Sequence, residues 1–140
     1  MIKVLFDTNV IIDAFTERTQ NYLISQNLVV KAIDKEIEGF LISKQVTDIY
    51  YILRKFKSEA ERRHVLKVIS KTFTILPTLA SDVAYSINSE MADYEDALID
   101  EIAKVNMLSY IITNNLKDFE KSKTMALSPE NFYELLNINK

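Results

Sequence analysis

The apolar positions of this chain change period several times, and each change marks an element. Ile2, Val4, Leu5 and Phe6 form a short, nearly unbroken apolar run that ends on Asp7, the pattern of a strand covered on both faces in a parallel sheet. Thr8 and Asn9 follow as candidate caps for a short helix over Val10 to Phe15. From about Glu17 to Lys35 the apolar residues Leu23, Ile24, Leu28, Val29, Ala32 and Ile33 recur at helical spacing. Gly39 then reads as a helix stop with a positive φ, ahead of a second strand, Phe40-Leu41-Ile42. Ser43 is placed to cap the next helix, with Val46, Ile49, Tyr50, Leu53 and Phe56 on its buried side.

The second half repeats the alternation. Ser58 with Glu61 forms a capping box for a helix reaching about Lys71. Phe73 to Leu76, closed by Pro77, reads as a third strand, and Leu79 to Ile87 as a short helix. Tyr94 to Asn106 predicts a longer helix and Tyr110 to Thr113 a fourth strand. Thr124 to Leu127 is a weak edge strand, followed by a helix start at Ser128-Pro129-Glu130 with proline in its first position. Strands alternating with helices imply a single α/β domain over 1–140: a three-layer α/β/α arrangement around a central parallel sheet of four or five strands. In such a sheet the helix N-termini gather at the carboxyl edge of the strands, where Asp7 emerges and where ligands bind.

Composition narrows the chemistry. The chain is 48% hydrophobic and 26% charged, ordinary for a soluble globular protein. With no cysteine, disulfides, thiolate zinc sites and a cysteine nucleophile are excluded, and the single histidine, His64, leaves no histidine-pair metal site. Asp7 interrupts the first apolar run too early for a signal peptide, and no stretch approaches the ~18 apolar residues of a membrane span, so a cytoplasmic protein without membrane contact is expected. The net charge of −3 provides no overall attraction to nucleic acid, so binding there would need a local basic patch. Arg54, Lys55, Lys57, Arg62, Arg63, Lys67 and Lys71 supply one candidate along two consecutive helices, which would otherwise be a solvated face. Tyr50, Tyr51 and Tyr94 are candidates for stacking on bases or, alternatively, core residues.

The carboxylates fall into place on this frame. Asp48 lies early in the helix after the second strand, Asp93 and Asp96 begin the helix before the fourth strand, and Asn115 and Asp118 follow that strand. An aspartate at a helix N-terminus stabilises by roughly 0.3–1 kcal/mol with no further function. The stretch from Glu90 to Glu101, however, adds Asp93, Glu95, Asp96 and Asp100 with no basic residue between them, which is unfavourable for a plain helical face. Carboxylates brought to one sheet edge repel, and one is driven to hold a proton unless a cation joins them. All-oxygen ligation points to a hard ion, Mg²⁺ or Mn²⁺.

The segments Leu5-Phe6-Asp7-Thr8-Asn9-Val10 through Asp13, Ile42-Ser43 through Asp48 and Leu53, Asp93-Tyr94-Glu95-Asp96-Ala97-Leu98, and Ile112-Thr113-Asn114-Asn115 through Asp118-Phe119 together resemble a PIN domain, in order and spacing. That nuclease fold includes the toxins of many bacterial toxin–antitoxin pairs. The resemblance implies a metal-dependent ribonuclease in which Asp7, Asp48 and Asp96 occupy the three main acidic positions. The fourth position, often aspartate, is here Asn115, with Asp118 close by, and Asp48 stands where the family usually has glutamate. On this basis Asp7, Asp48, Asp96 and Asp118 are the catalytic candidates. Asp7, Asp48, Asp96 and Asn115 are the metal ligands, and Thr8, Asn9, Asp93 and Thr113 support them. Arg54, Lys55, Lys57, Arg62 and Arg63 are the RNA-binding candidates. The implied partners are an RNA substrate, an antitoxin protein and a second copy of the chain. Two other readings stand beside this one. In the first, the departures at Asp48 and Asn115 leave a catalytically impaired module that binds RNA or protein. The second is a haloacid-dehalogenase-like phosphatase, which would need an aspartate where Asn9 stands.

Overall fold

The computed structural model describes residues 1–138. Among these residues the strands form one five-stranded sheet in the order β3-β2-β1-β4-β5, every pair parallel. The strands are β1 (Lys3–Phe6), β2 (Glu38–Ile42), β3 (Thr74–Leu76), β4 (Tyr110–Ile112) and β5 (Met125–Leu127). The helices are α1 (Thr8–Thr16), α2 (Tyr22–Ile33), α3 (Ser43–Ile52), α4 (Glu59–Thr72), α5 (Ala80–Ile87), α6 (Tyr94–Val105) and α7 (Pro129–Ile138). Two 3-10 turns, Leu53–Lys55 and Leu116–Phe119, complete the path. The expected three-layer α/β/α architecture is present. No helix among the described residues is long and apolar enough to cross a membrane.

The apolar run at the start of the chain explains the layering. Side chains alternate across a strand, so Val4 and Phe6 point to one face and Leu5 to the other. Val4 and Phe6 join a core with residues of α1, α2, α3, α4 and α7, where the Phe6 and Phe73 rings meet edge to face at 5.3 Å. Leu5 joins Phe40, Ile42 and Ile111 against Leu98, Ile99 and Ile102 of α6. Because β1 lies in the middle and is covered on both faces, its carboxyl end is a rigid point from which Asp7 projects.

Several local expectations are corrected. Gly39 is not a helix stop: it lies within β2 opposite Val4, and its φ is not positive. Its lack of a side chain answers a packing need instead, since a Cβ there would stand 2.7 Å from the Phe73 ring. The left-handed residue after α2 is Lys35, with φ 59°. The helix expected from Glu17 begins only at Tyr22, because Glu17 is itself left-handed, with φ 55°, and ends α1. Leu23 and Ile33 of α2 are exposed, as is Phe56 beyond α3, and Val46 and Tyr50 are only half-buried. Ile49 of α3 and Leu53, in the 3-10 turn just past its end, are fully buried as expected. Thr8 and Asn9 do not cap α1; Asp7 does, accepting a hydrogen bond from the Thr8 amide. Likewise Ile42 rather than Ser43 is the capping residue of α3, with the Gln45 side chain accepting from the Ile42 amide. The box of Ser58 and Glu61, and the cap of α7 by Ser128, form as expected.

Candidate active site

Asp7 is the fixed point. It is buried, its amide donates to the Ile112 carbonyl at 2.8 Å, and its carboxylate is held from two sides. Oδ1 accepts from the Thr8 amide at 2.9 Å, and Oδ2 accepts from the Thr113 hydroxyl at 2.8 Å. Thr113 in turn accepts from the Asn115 amide at 3.0 Å, so β1 and the loop after β4 are tied together at the carboxylate. Burial raises the Asp7 carboxyl above its usual value, the two hydrogen bonds draw it back, and Asp118 adds repulsion.

Around Asp7 opens a cavity of about 570 Å³ at the carboxyl edge of the sheet. Asp48 reaches it from α3, Asp93, Glu95 and Asp96 from the start of α6, and Asn115 and Asp118 from the turn after β4, with Thr8 and Asn9 beside Asp7. Asp93 has a structural task there, since its Oδ2 accepts from the Asp96 amide at 3.0 Å and so caps α6. The Asp96 side chain accepts no hydrogen bond from a described residue. Its carboxyl is pushed up to about 7, by burial first and then by repulsion from Asp7, Asp93, Asp118 and Glu95. Among the described residues no three acidic side chains stand close enough together to make a ready ligand group. The carboxylates ring the cavity rather than meet at a point.

Two residues that sequence reasoning passed over organise the rim. The Lys44 ammonium lies 2.5 Å from Asp48 Oδ2 and 3.2 Å from Glu95 Oε1, bridging α3 and α6. Burial works against that charge, but the bonds to Asp48 and Glu95 outweigh it and hold Lys44 above the ordinary lysine value. Gln45 is fully buried: its Nε2 donates to the Phe6 carbonyl at 2.7 Å and to the Thr8 hydroxyl at 3.3 Å, fastening α3 to the end of β1. The spacing of Lys44 and Asp48 was a visible signal, because residues four apart share a helix face. A third residue passed over is Arg18, whose guanidinium donates to Asn9 Oδ1 at 2.9 Å and to Asp13 Oδ1 at 3.0 Å. Asp13 also accepts from Asn114 and is buried among these partners.

The basic stretch stands apart from this cavity. Arg62 and Arg63 both pair with Glu59, Arg62 lies over the Tyr50 ring, and Arg54 lies over the Tyr51 ring at 4.0 Å. Arg54, Lys55, Lys57, Arg62 and Arg63 are absent from the lining of the acidic cavity. Two of the tyrosines weighed as base-stacking platforms therefore already carry an arginine on one face.

The donor set suits a hard divalent cation. It is all oxygen, mostly anionic, and includes one carboxylate without hydrogen-bond partners whose proton affinity is raised by its neighbours. The arrangement defines a class: a small α/β/α protein with an acidic cavity at the carboxyl edge of a five-stranded parallel sheet. The PIN domain model matches residues 3–117, and the chain belongs to that family. It is 27% identical to ribonuclease VapC1 of Aquifex aeolicus (strain VF5), over 96% of each chain. Its fold is similar to that in a toxin–antitoxin complex from Klebsiella pneumoniae, with TM-score 0.67, 22% identity, and 90% of this chain and 97% of the other covered. It is also similar to VapBC2 from Rickettsia felis bound to a DNA fragment from their promoter, with TM-score 0.69, 18% identity and 91% and 98% coverage.

Proposed function

We propose that this chain is an endoribonuclease that works with Mg²⁺ or Mn²⁺ as the toxin of a toxin–antitoxin pair in the cytoplasm, residues 1–140 acting as one unit. The observation that carries the proposal is the convergence of Asp7, Asp48, Asp96, Asn115 and Asp118 on one cavity from four separate segments. Membership of the PIN family, the ribonuclease named among its relatives and the toxin–antitoxin complex among its structural neighbours support it. An RNA substrate and an antitoxin protein are its proposed partners.

Asp7, Asp48, Asp96 and Asn115 are the residues that would hold the ion. A divalent ion in such a site acidifies water and offsets the charge of the phosphate and the leaving oxygen. The chain's own groups divide the remaining work. Asp7, fixed by Thr8 and Thr113, sets the position of the site relative to the sheet. Asp96 supplies a carboxylate free to turn toward a ligand. Asp118, exposed at the cavity edge, is placed to accept the proton of the attacking water as general base. Lys44 brings an ammonium that can donate to a phosphate oxygen once released from Asp48 or Glu95. The acidic cavity repels a phosphate backbone on its own, so binding of RNA and loading of the ion belong together.

The test is cleavage of a mixed RNA pool by the purified chain with Mn²⁺, with chelator, and after Asp7→Asn or Asp96→Asn. Cleavage that needs the ion and fails in both variants is the expected result. Cleavage that persists in chelator and in Asp96→Asn overturns the reading.

A further inference from the structure

Lys44 stands where the electrostatics of its own helix disfavour it. It is the second residue of α3, in the turn whose unpaired amides carry partial positive charge, and that turn holds no acidic residue. Its partner four residues on is Asp48, and a helix gains less from such a pair when the basic residue comes first. Both side chains are more than a third open to solvent, where an ion pair contributes little to stability. The needs of α3 therefore do not account for a lysine at this position.

The cavity does account for it. The carboxylates of Asp7, Asp48, Asp93, Glu95, Asp96 and Asp118 line the space, and Lys44 is the one cation among its described lining residues. Gln45, fully buried and donating to the Phe6 carbonyl at 2.7 Å, fixes the backbone from which Lys44 rises. The ammonium lies 2.5 Å from Asp48 Oδ2 and 3.2 Å from Glu95 Oε1, so one charge serves a carboxylate of α3 and another of α6. After burial, the charges that act on Asp96 are those of Asp7, Asp93, Asp118 and Glu95, in that order. One side of the cavity thus holds a resident cation, and the uncompensated charge gathers around Asp7, Asp96 and Asp118. Hydrolysis at phosphorus can draw on two cations, one for the attacking and one for the leaving oxygen. A divalent ion shared by Asp48 and Glu95 would need the oxygens that Lys44 already holds. Asp48 Oδ1, which accepts no hydrogen bond from a described residue, stays open to an ion on the Asp7 side.

We propose that Lys44 fills the second cation position of the site, so that the chain loads one divalent ion and offers the phosphate an ammonium in place of another. The inference rests on the ion-dependent ribonuclease reading, but it is decided by counting ions rather than by cleavage. Mn²⁺ bound per chain is measured by equilibrium dialysis and electron paramagnetic resonance for the wild type, Lys44→Ala and Lys44→Arg. Melting curves are recorded for each in chelator and in Mn²⁺. The wild type and Lys44→Arg should each bind one ion. Lys44→Ala should bind twice as much, with the broadened signal of two neighbouring Mn²⁺ ions. It should also melt below the parent in chelator and gain more from Mn²⁺ than the parent does, a gain that the mere loss of a surface ion pair would not produce. A wild type that binds two ions, or a Lys44→Ala that binds no more than the parent, overturns the inference and leaves the ribonuclease reading standing. Absence of Mn²⁺ binding in all three proteins overturns the ion-dependent reading and this inference with it.

Discussion

Asp96 carries a carboxyl pushed up to about 7 by burial and by its acidic neighbours, against an ordinary value of 3.8. A proton held more tightly in the folded chain than in the unfolded one contributes stability that is full below pH 3.8 and disappears as pH rises through about 7. In chelator, the melting temperature should therefore carry a falling contribution between pH ~4 and pH ~7 that levels off above, and Asp96→Asn should remove that contribution. The same variant should melt above the parent at pH ~8 without metal and lose the shift that Mn²⁺ gives the parent. A variant that melts lower without metal and keeps the Mn²⁺ response would make Asp96 a structural residue. Asp48 invites a paired comparison. Asp48→Asn should reduce RNA cleavage by several powers of ten, because a ligand carboxylate must be held within about 0.5 Å of the productive geometry. Asp48→Glu should retain cleavage, since it lengthens the reach by one carbon and still offers Lys44 a partner. Parental rates in both variants would remove Asp48 from the site.

At the scale of elements, the join between α3 and β1 depends on Gln45. Replacing it with leucine leaves the Ile42 amide and the Phe6 carbonyl without their side-chain partner. Each buried group so abandoned is worth about 1–3 kcal/mol, so urea unfolding should show a loss of that order. Gly39→Ala should destabilise by about 1–3 kcal/mol, because the new methyl meets the Phe73 ring and the T-shaped pair with Phe6 must shift. These two residues also mark the limit of what the sequence told. The run from Ile2 to Asp7 was legible because a continuous apolar segment ending on a carboxylate has few structural solutions. Gly39 was misread because glycine serves both left-handed turns and close packing, and only the position of Phe73 decides between them. The capping role of Gln45 was hidden by a one-residue difference in the capping position of α3, which is Ile42 and not Ser43. The gathering of Asp7, Asp48 and Asp96 was legible because parallel topology fixes which ends of the helices meet. The bridge from Lys44 to Glu95 was not, since it joins two helices that contribute to different strand crossovers.

For the whole molecule, the strand order carries the argument. β1 is central and first in sequence, while its neighbour β4 comes near the end, so the clamp on Asp7 closes over a separation of 106 residues. Contacts of such long range form late, after more local helices and turns. Refolding followed by circular dichroism and, in parallel, by Mn²⁺ binding should show helix appearing first and ion binding only in the slowest phase. Equal rates for the two signals would mean that the site does not need the clamp. On the ribosome the same order becomes a matter of timing. A chain whose first strand has emerged carries Asp7 and the adjacent Thr8 but neither Ile112 nor Thr113, the partners that fix Asp7 from across the sheet, and it stays so until β4 has been made and docked. On the proposed ribonuclease function, cleaving power would then come only to finished molecules, and a chain stalled, clipped or misfolded before that point would be harmless to the RNA of the cell that makes it.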